Sequence, residues 1–108
     1  MKILGVGSPI VDVLVNVEDE FLKNINGEKG GMELVDISLI DSMLNNASAK
    51  SICAPGGSCA NTILALAKLG IKTGFLGKIG RDKQGKFYVE NYKLSGGDIK
   101  QFKISDDV

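Results

Sequence analysis

Two adjacent glycines stand just before an apolar segment in the stretch Pro55-Gly56-Gly57-Ser58-Cys59-Ala60-Asn61-Thr62. Such a pair permits positive φ and an approach that a Cβ would block, and a helix starting right after it aims unpaired N–H groups into the same space. Two roles compete for the loop: bringing backbone against a small ligand, or only turning the chain into a helix, for which glycine is the commonest residue on geometry alone. Asp12 and Asn61 add a carboxylate and an amide, groups suited to paired hydroxyls that donate to one and bridge to the other. For Asp12 by itself the competing role is a solvated turn carboxylate or a cap.

The elements that must position these groups alternate between strand and helix. Residues 2–6 form an apolar run without polar alternation, the pattern of a strand buried on both faces, and residues 11–17 continue with β-branched side chains after the Ser8-Pro9 turn. A short helix is expected over 18–25, with Asn26-Gly27 as its stop. Gly30-Gly31 then opens a strand-like stretch over 32–35, and Asp36 is placed to cap a helix in which Ile37, Ile40, Leu44 and Ala47 recur at helical spacing. A brief strand is expected over 51–54, before the glycine loop. Beyond the loop, Ala60, Ile63, Leu64 and Ala67 fall at i, i+3, i+4 and i+7, and Gly70 sits where a left-handed C-cap belongs. The pattern then predicts a strand over 71–76, a loop over 77–82, a helix over 83–94 capped by Asp82 and closed by Gly96-Gly97, and an alternating, half-buried strand over 99–104. This order argues for an α/β fold with a parallel sheet and a smaller sheet standing apart. In such a sheet, Asp12 and Asn61 converge on the crevice beyond the carboxyl ends of the strands.

Composition narrows the function classes. A chain of 108 residues is one domain or a piece of one, and 13 acidic against 13 basic residues leave no net charge, so no nucleic-acid footprint or membrane-surface patch is expected. Cys53 and Cys59, with no histidine in the chain, match neither zinc-ligand spacing nor a disulfide scaffold, which points to a reduced, cytoplasmic setting and to no metal site. No apolar run approaches membrane-spanning length, and the opening residues are too glycine-broken for a signal peptide. The closing Ser105-Asp106-Asp107-Val108 offers no final helix and leaves a strand edge unprotected, so we expect a truncated chain or one completed by a partner, against the plainer alternative of a frayed tail.

Three motifs together resemble the N-terminal part of the ribokinase or PfkB family of carbohydrate and nucleoside kinases over essentially the whole chain. They are Gly7-Ser8-Pro9-Ile10-Val11-Asp12, Gly56-Gly57-Ser58-x-x-Asn61, and Gly77-Lys78-Ile79-Gly80-Arg81-Asp82-x-x-Gly85, with the spacing from Asn61 through Gly70 to Gly80. The opening motif and the segment 30–36 look most like the adenosine kinase-like branch. Cys59 and Ile63 depart from the family's usual small residues, for which repacking is the expected consequence.

The resemblance implies a ribokinase-like sheet with flanking helices and a small β-sheet lid, its strands at about 13–17, 32–35, 51–54 and 99–104. It implies that Asp12 and Asn61 hold sugar hydroxyls, that Gly57 contributes backbone contacts with Gly56 beside it at the junction, and that Ser8 and Ser58 lie next to the ligand. The implied reaction transfers the γ-phosphate of ATP, with Mg2+, to a sugar or nucleoside hydroxyl. The ATP-binding and catalytic half belongs to sequence beyond residue 108, so this chain holds no catalytic, cofactor or metal residue and is expected to be inactive alone. Lid pairing implies a possible homodimer. Lys78 and Arg81 read as solvated loop residues in preference to phosphate ligands.

Two other functions compete. A noncatalytic sugar-binding or nucleoside-binding fragment would keep part of the site without moving phosphate. A dinucleotide-binding domain would use Gly5-Val6-Gly7, but Ile10 replaces the third glycine and a strand-like segment follows where a helix should begin. Gly77-Lys78 also fails as a P-loop, with Lys72 at the first glycine position and Ile79 in place of serine or threonine.

Overall fold

The computed structural model describes residues 1–47 and 49–106. In chain order its elements are β1 (Ile3–Val6), β2 (Ile10–Leu14), α1 (Asp19–Leu22), α2 (Ile37–Asn46), β3 (Ile52–Gly56), α3 (Ser58–Lys68), β4 (Thr73–Leu76), β5 (Lys78–Gly80), α4 (Lys83–Leu94), a 3-10 turn (Ile99–Gln101) and β6 (Lys103–Ser105). They fall into two units, Met1–Asp12 with Ala54–Val108, and Val13–Cys53, and the hydrogen-bonded neighbours β2 and β3 carry the chain from one to the other.

In the first unit the sequence periodicity holds. Ala60, Ile63, Leu64 and Ala67 are the buried stripe of α3, and Gly70 at φ +81 closes it. The N–H of Gly70 donates to the Ala67 carbonyl and that of Ile71 to the Leu66 carbonyl, which satisfies the last carbonyls of the helix. The same pair of bonds, Gly96 to Lys93 and Gly97 to Tyr92, closes α4. Asp82 caps the other end of α4, its carboxylate accepting from the Gly85 N–H at 2.8 Å. β1 pairs in parallel with β4, from Ile3 beside Thr73 to Val6 beside Leu76, and β5 pairs in parallel with β6 across α4. The α/β architecture of parallel ladders and flanking helices is as expected.

Phe75, Tyr88 and Tyr92 are the largest fully buried side chains, packed with Ala60, Ile63 and Leu64. Phe102 stands edge-on to Tyr88 at 6.0 Å and to Tyr92 at 5.3 Å, and its ring is 5.8 Å from that of Phe75. Such pairs add about 0.5–1.5 kcal/mol each beyond the burial of their area. The Lys2 ammonium, 2.7 Å from the Asp98 carboxylate, holds that carboxyl down to about 2 and ties the start of β1 to the segment after α4.

Several local expectations are corrected. β1 is not buried on both faces: Ile3 and Gly5 face the core, while Leu4 and Val6 alternate to the other side and stand 53% and 66% exposed. The predicted helix over 18–25 is one α-turn, Asp19–Leu22, prolonged to Ile25 by i→i−3 bonds. Residues 32–35 form no strand, with Met32 and Leu34 fully exposed, because β-prone residues need a ladder partner to become a strand. The loop expected over 77–82 contains β5. The strand expected over 99–104 is shortened to β6 because Asp98 accepts from the Lys100 N–H and winds Ile99–Gln101 into a 3-10 turn. β6 therefore pairs with β5, in a different sheet from β2 and β3. In the second unit α2 follows Asp36 as expected, but the Asp36 cap is made by its carbonyl and none of the helix's residues is buried. Of the expected open tail, Asp107 and Val108 lie outside the described residues.

Two outcomes follow for the core. A Cβ on Gly85 would overlap the Gly80 carbonyl, with the carbonyl carbon 3.0 Å away, and backbone cannot step aside as a rotamer can. Gly85→Ala should therefore lower stability by about 1–3 kcal/mol in urea unfolding, despite alanine's better helix propensity. Burial pushes the Tyr88 phenol up to about 12 and raises that of Tyr92. Because the folded values lie above the unfolded one, this stability is complete below pH 10 and is lost as pH rises through 12. Absorbance at tyrosinate wavelengths should rise only with unfolding, and near pH 10 in denaturant.

Candidate functional site

The parallel pairing of β1 and β4 brings their carboxyl ends side by side, and the Gly7 N–H donates to the Leu76 carbonyl at 3.2 Å. The turns that leave these ends are pressed together at glycines. A Cβ on Gly77 would stand 3.0 Å from Pro9 Cδ and 3.1 Å from the Gly7 carbonyl oxygen. One on Gly57, at φ +94, would stand 2.7 Å from the Ser8 carbonyl oxygen. The glycine pair is thus required by close approach to the turn after β1 as well as by backbone angle.

Asp12 lies on β2 with its carboxyl group against Gly56, where a Cβ would overlap it at 2.8 Å from Cγ. Gly56 is buried, while Ser8, Asp12, Ser58 and Asn61 are exposed. The structure therefore gathers Ser8, Asp12, Gly56 and Gly57 at the carboxyl end of β1, with Ser58 opening α3 beside them. Asn61 stands one turn into α3, its N–H donating to the Gly57 carbonyl at 2.8 Å, and borders a recess with Pro55, Lys68 and Asn91. A cluster of exposed hydroxyls, one carboxylate and glycine backbone suits a polyhydroxylated ligand held by hydrogen bonds.

Cys59 packs its Cβ and Sγ over Gly7 and Gly5, and buried Ile63 presses on Gly5, so both unusual residues fill space beside β1. Arg81 pairs with Asp106 at 2.8 Å on the surface. Among the described residues no group of three or more Asp, Glu, Cys or His side chains is placed to hold a metal ion. Where a dinucleotide fingerprint would start its helix after Gly5-Val6-Gly7, the chain forms β2. No helix among the described residues is long and apolar enough to cross a membrane.

Sequence reasoning missed one member of this neighbourhood. Buried Tyr88 donates its hydroxyl to the Gly56 carbonyl oxygen at 3.4 Å. The signal available was its place on the buried stripe Gly85, Tyr88, Tyr92 of α4, since a tyrosine turned into a core must find a partner for its hydroxyl.

Comparison with known proteins gives one family. The pfkB family carbohydrate kinase model matches residues 33–108. The 5-dehydro-2-deoxygluconokinase of Clostridium botulinum is 42% identical over 52 residues, which is 48% of this chain and 15% of that protein. Among solved structures, the adenosine kinase of Schistosoma mansoni, in complex with adenosine, superposes with a TM-score of 0.79 at 22% identity over 95% of this chain and 31% of its own. The adenosine kinase of Sinorhizobium meliloti superposes at 0.78 with 25% identity over 96% of this chain and 32% of its own. The chain thus spans under a third of each of these relatives.

The geometry of the turn can be separated from its backbone angle. Gly70, at φ +81, has nothing within 4 Å of a Cβ, whereas Gly57 meets the Ser8 carbonyl. Gly70→Ala should cost about 1 kcal/mol of backbone strain and Gly57→Ala about 2–3 kcal/mol, read from urea midpoints of the two variants.

Proposed function

Because the chain belongs to the pfkB family of carbohydrate kinases, we propose that it supplies the substrate-binding and lid part of an enzyme that phosphorylates a hydroxyl of a sugar or nucleoside at the expense of ATP. The observation that carries this reading is the packing of the Asp12 carboxylate against the Gly56–Gly57 turn at the carboxyl end of β1. Asp12 accepts from two neighbouring sugar hydroxyls, Asn61 bridges another, the Gly57 backbone contributes a donor, and Ser8 and Ser58 border the ring. Ser8, Asp12, Ser58 and Asn61 are exposed in the chain, so little desolvation opposes the ligand's arrival.

Phosphoryl transfer needs a base for the attacking hydroxyl and charge stabilisation on the moving phosphate. ATP and Mg2+, with that base, enter through residues outside this chain, and the described residues offer no acidic cluster for the metal. β2 and β3 act as the lid that excludes water. Exposed Val13, Leu14 and Ile52 on these two strands favour pairing with a second copy. The setting is cytoplasmic. A nucleoside or ribose-type acceptor is the reading favoured by the Gly-Ser-Pro-x-x-Asp opening, with fructose-type sugars and 5-dehydro-2-deoxygluconate as the competing acceptors.

The deciding assay is ATP-dependent phosphorylation of adenosine, ribose, fructose and 5-dehydro-2-deoxygluconate by the chain alone and by the chain completed with the remaining part of a pfkB domain. Transfer only in the completed protein, to one of these acceptors, is expected. Asp12→Asn should then lower kcat/KM by about 10- to 150-fold, the weight of charged hydrogen bonds, with an unchanged unfolding midpoint. Acceptor binding without transfer in either form would support the noncatalytic fragment. An Asp12→Asn enzyme with unaltered kinetics would remove the site as drawn.

A further inference from the structure

Tyr88 and Tyr92 sit one turn apart on the buried stripe of α4, 1% and 0% exposed, in contact with the same Phe102 ring. Their hydroxyls differ in one respect. That of Tyr92 is buried on the Thr73 hydroxyl, whereas that of Tyr88 donates to the Gly56 carbonyl oxygen. The contact, at 3.4 Å, is long for O–H···O, yet its two ends are firmly held. The Tyr88 ring is fixed edge-on to Phe102, the first turn of α4 is pinned by the Asp82 cap and by Gly85 against Gly80, and Gly56 is buried against Asp12.

The consequence runs through one peptide group. The Gly56 carbonyl and the Gly57 N–H belong to the same peptide, the chain has no cis peptide among its described residues, and in a trans peptide these groups point to opposite sides. Drawing the carbonyl toward Tyr88 therefore turns the Gly57 N–H to the side away from Tyr88. Burial holds the phenol neutral far above pH 7, so it remains a donor throughout the working range.

We propose that Tyr88 is a positioning residue for sugar binding, holding the Gly56–Gly57 peptide so that the Gly57 N–H meets an incoming hydroxyl; this rests on the sugar-binding reading above. It touches no reacting atom and acts through the glycine turn. A packing role alone would be filled equally well by phenylalanine.

The test uses the 108-residue chain labelled with nitrogen-15, with Tyr88→Phe as the probe and Tyr92→Phe as the control. Without sugar, the Gly57 amide resonance should move in Tyr88→Phe and stay in place in Tyr92→Phe. Titration with adenosine, ribose, fructose or 5-dehydro-2-deoxygluconate should shift the same resonance in the unaltered chain, and Tyr88→Phe alone should raise that Kd about three- to tenfold, the weight of one neutral hydrogen bond. A Gly57 amide indifferent to Tyr88→Phe, or equal weakening by both variants, overturns the proposal. An unaltered chain whose Gly57 amide answers to none of the four ligands overturns the sugar-binding reading and this proposal with it, and the ligand-free spectra then tell whether Tyr88 holds the turn regardless.

Discussion

The close approach of α3 to β1 is the constraint from which the rest of the site follows. Ile63 lies on Gly5 so closely that a Cβ there would stand 2.9 Å from Ile63 Cδ1, and Cys59 occupies the space above Gly7. Gly5 in β1 and Gly7 just past its end thus form a flat track onto which the helix settles. Once α3 rests on that track, its first turn is delivered to the carboxyl end of β1, and the Gly56–Gly57 pair must pass between Ser8 and Asp12 with no room for side chains. Burial of apolar stripe and placement of polar groups are therefore one event. The helix cannot be lifted to widen the crevice without exposing Ile63, a side chain whose burial is worth about 1.5–3 kcal/mol.

Polar chemistry and packing are separated by direction along that same path. Glycine backbone carries the inner side of the turn, buried against Asp12 and Tyr88, while the hydroxyls of Ser8 and Ser58 face solvent. Such a division suits a ligand rich in hydroxyl groups, since rigid backbone fixes direction and exposed side chains exchange water for ligand at small cost.

What was legible in the sequence is what is encoded locally. The stripe of α3, its Gly70 closure, and the Asp82 cap of α4 depend on neighbours within one or two turns, and each was found where spacing placed it. β1 to β4 also lie where apolar or β-branched runs announced them, but a strand without such a run was missed. Lys78–Gly80 becomes β5 because Lys103–Ser105 comes alongside, and nothing between residues 77 and 82 announces that partner. The reverse error arose at residues 32–35, whose strand-like composition finds no ladder. At 99–104 alternation was real but lost to Asp98, a short side chain that captures the Lys100 N–H. Around the glycine turn, Asp12 and the glycine pair stood out by residue type and Ser8 only through the family resemblance. Tyr88 stood out by neither, because its role depends on a carbonyl 32 residues earlier.

The two tyrosines of α4 make the last point about how position decides chemistry. Tyr92 lies near the amino end of β4, its hydroxyl on that of buried Thr73. Tyr88, one turn earlier, reaches the other end of the ladders, where the chain turns at Gly56. The bond at the carboxyl end contributes about 1 kcal/mol. The Tyr92 ring joins Phe75 and Phe102 in the aromatic core. The two residues thus share a packing role, and only Tyr88 joins the aromatic core to the backbone of the glycine turn.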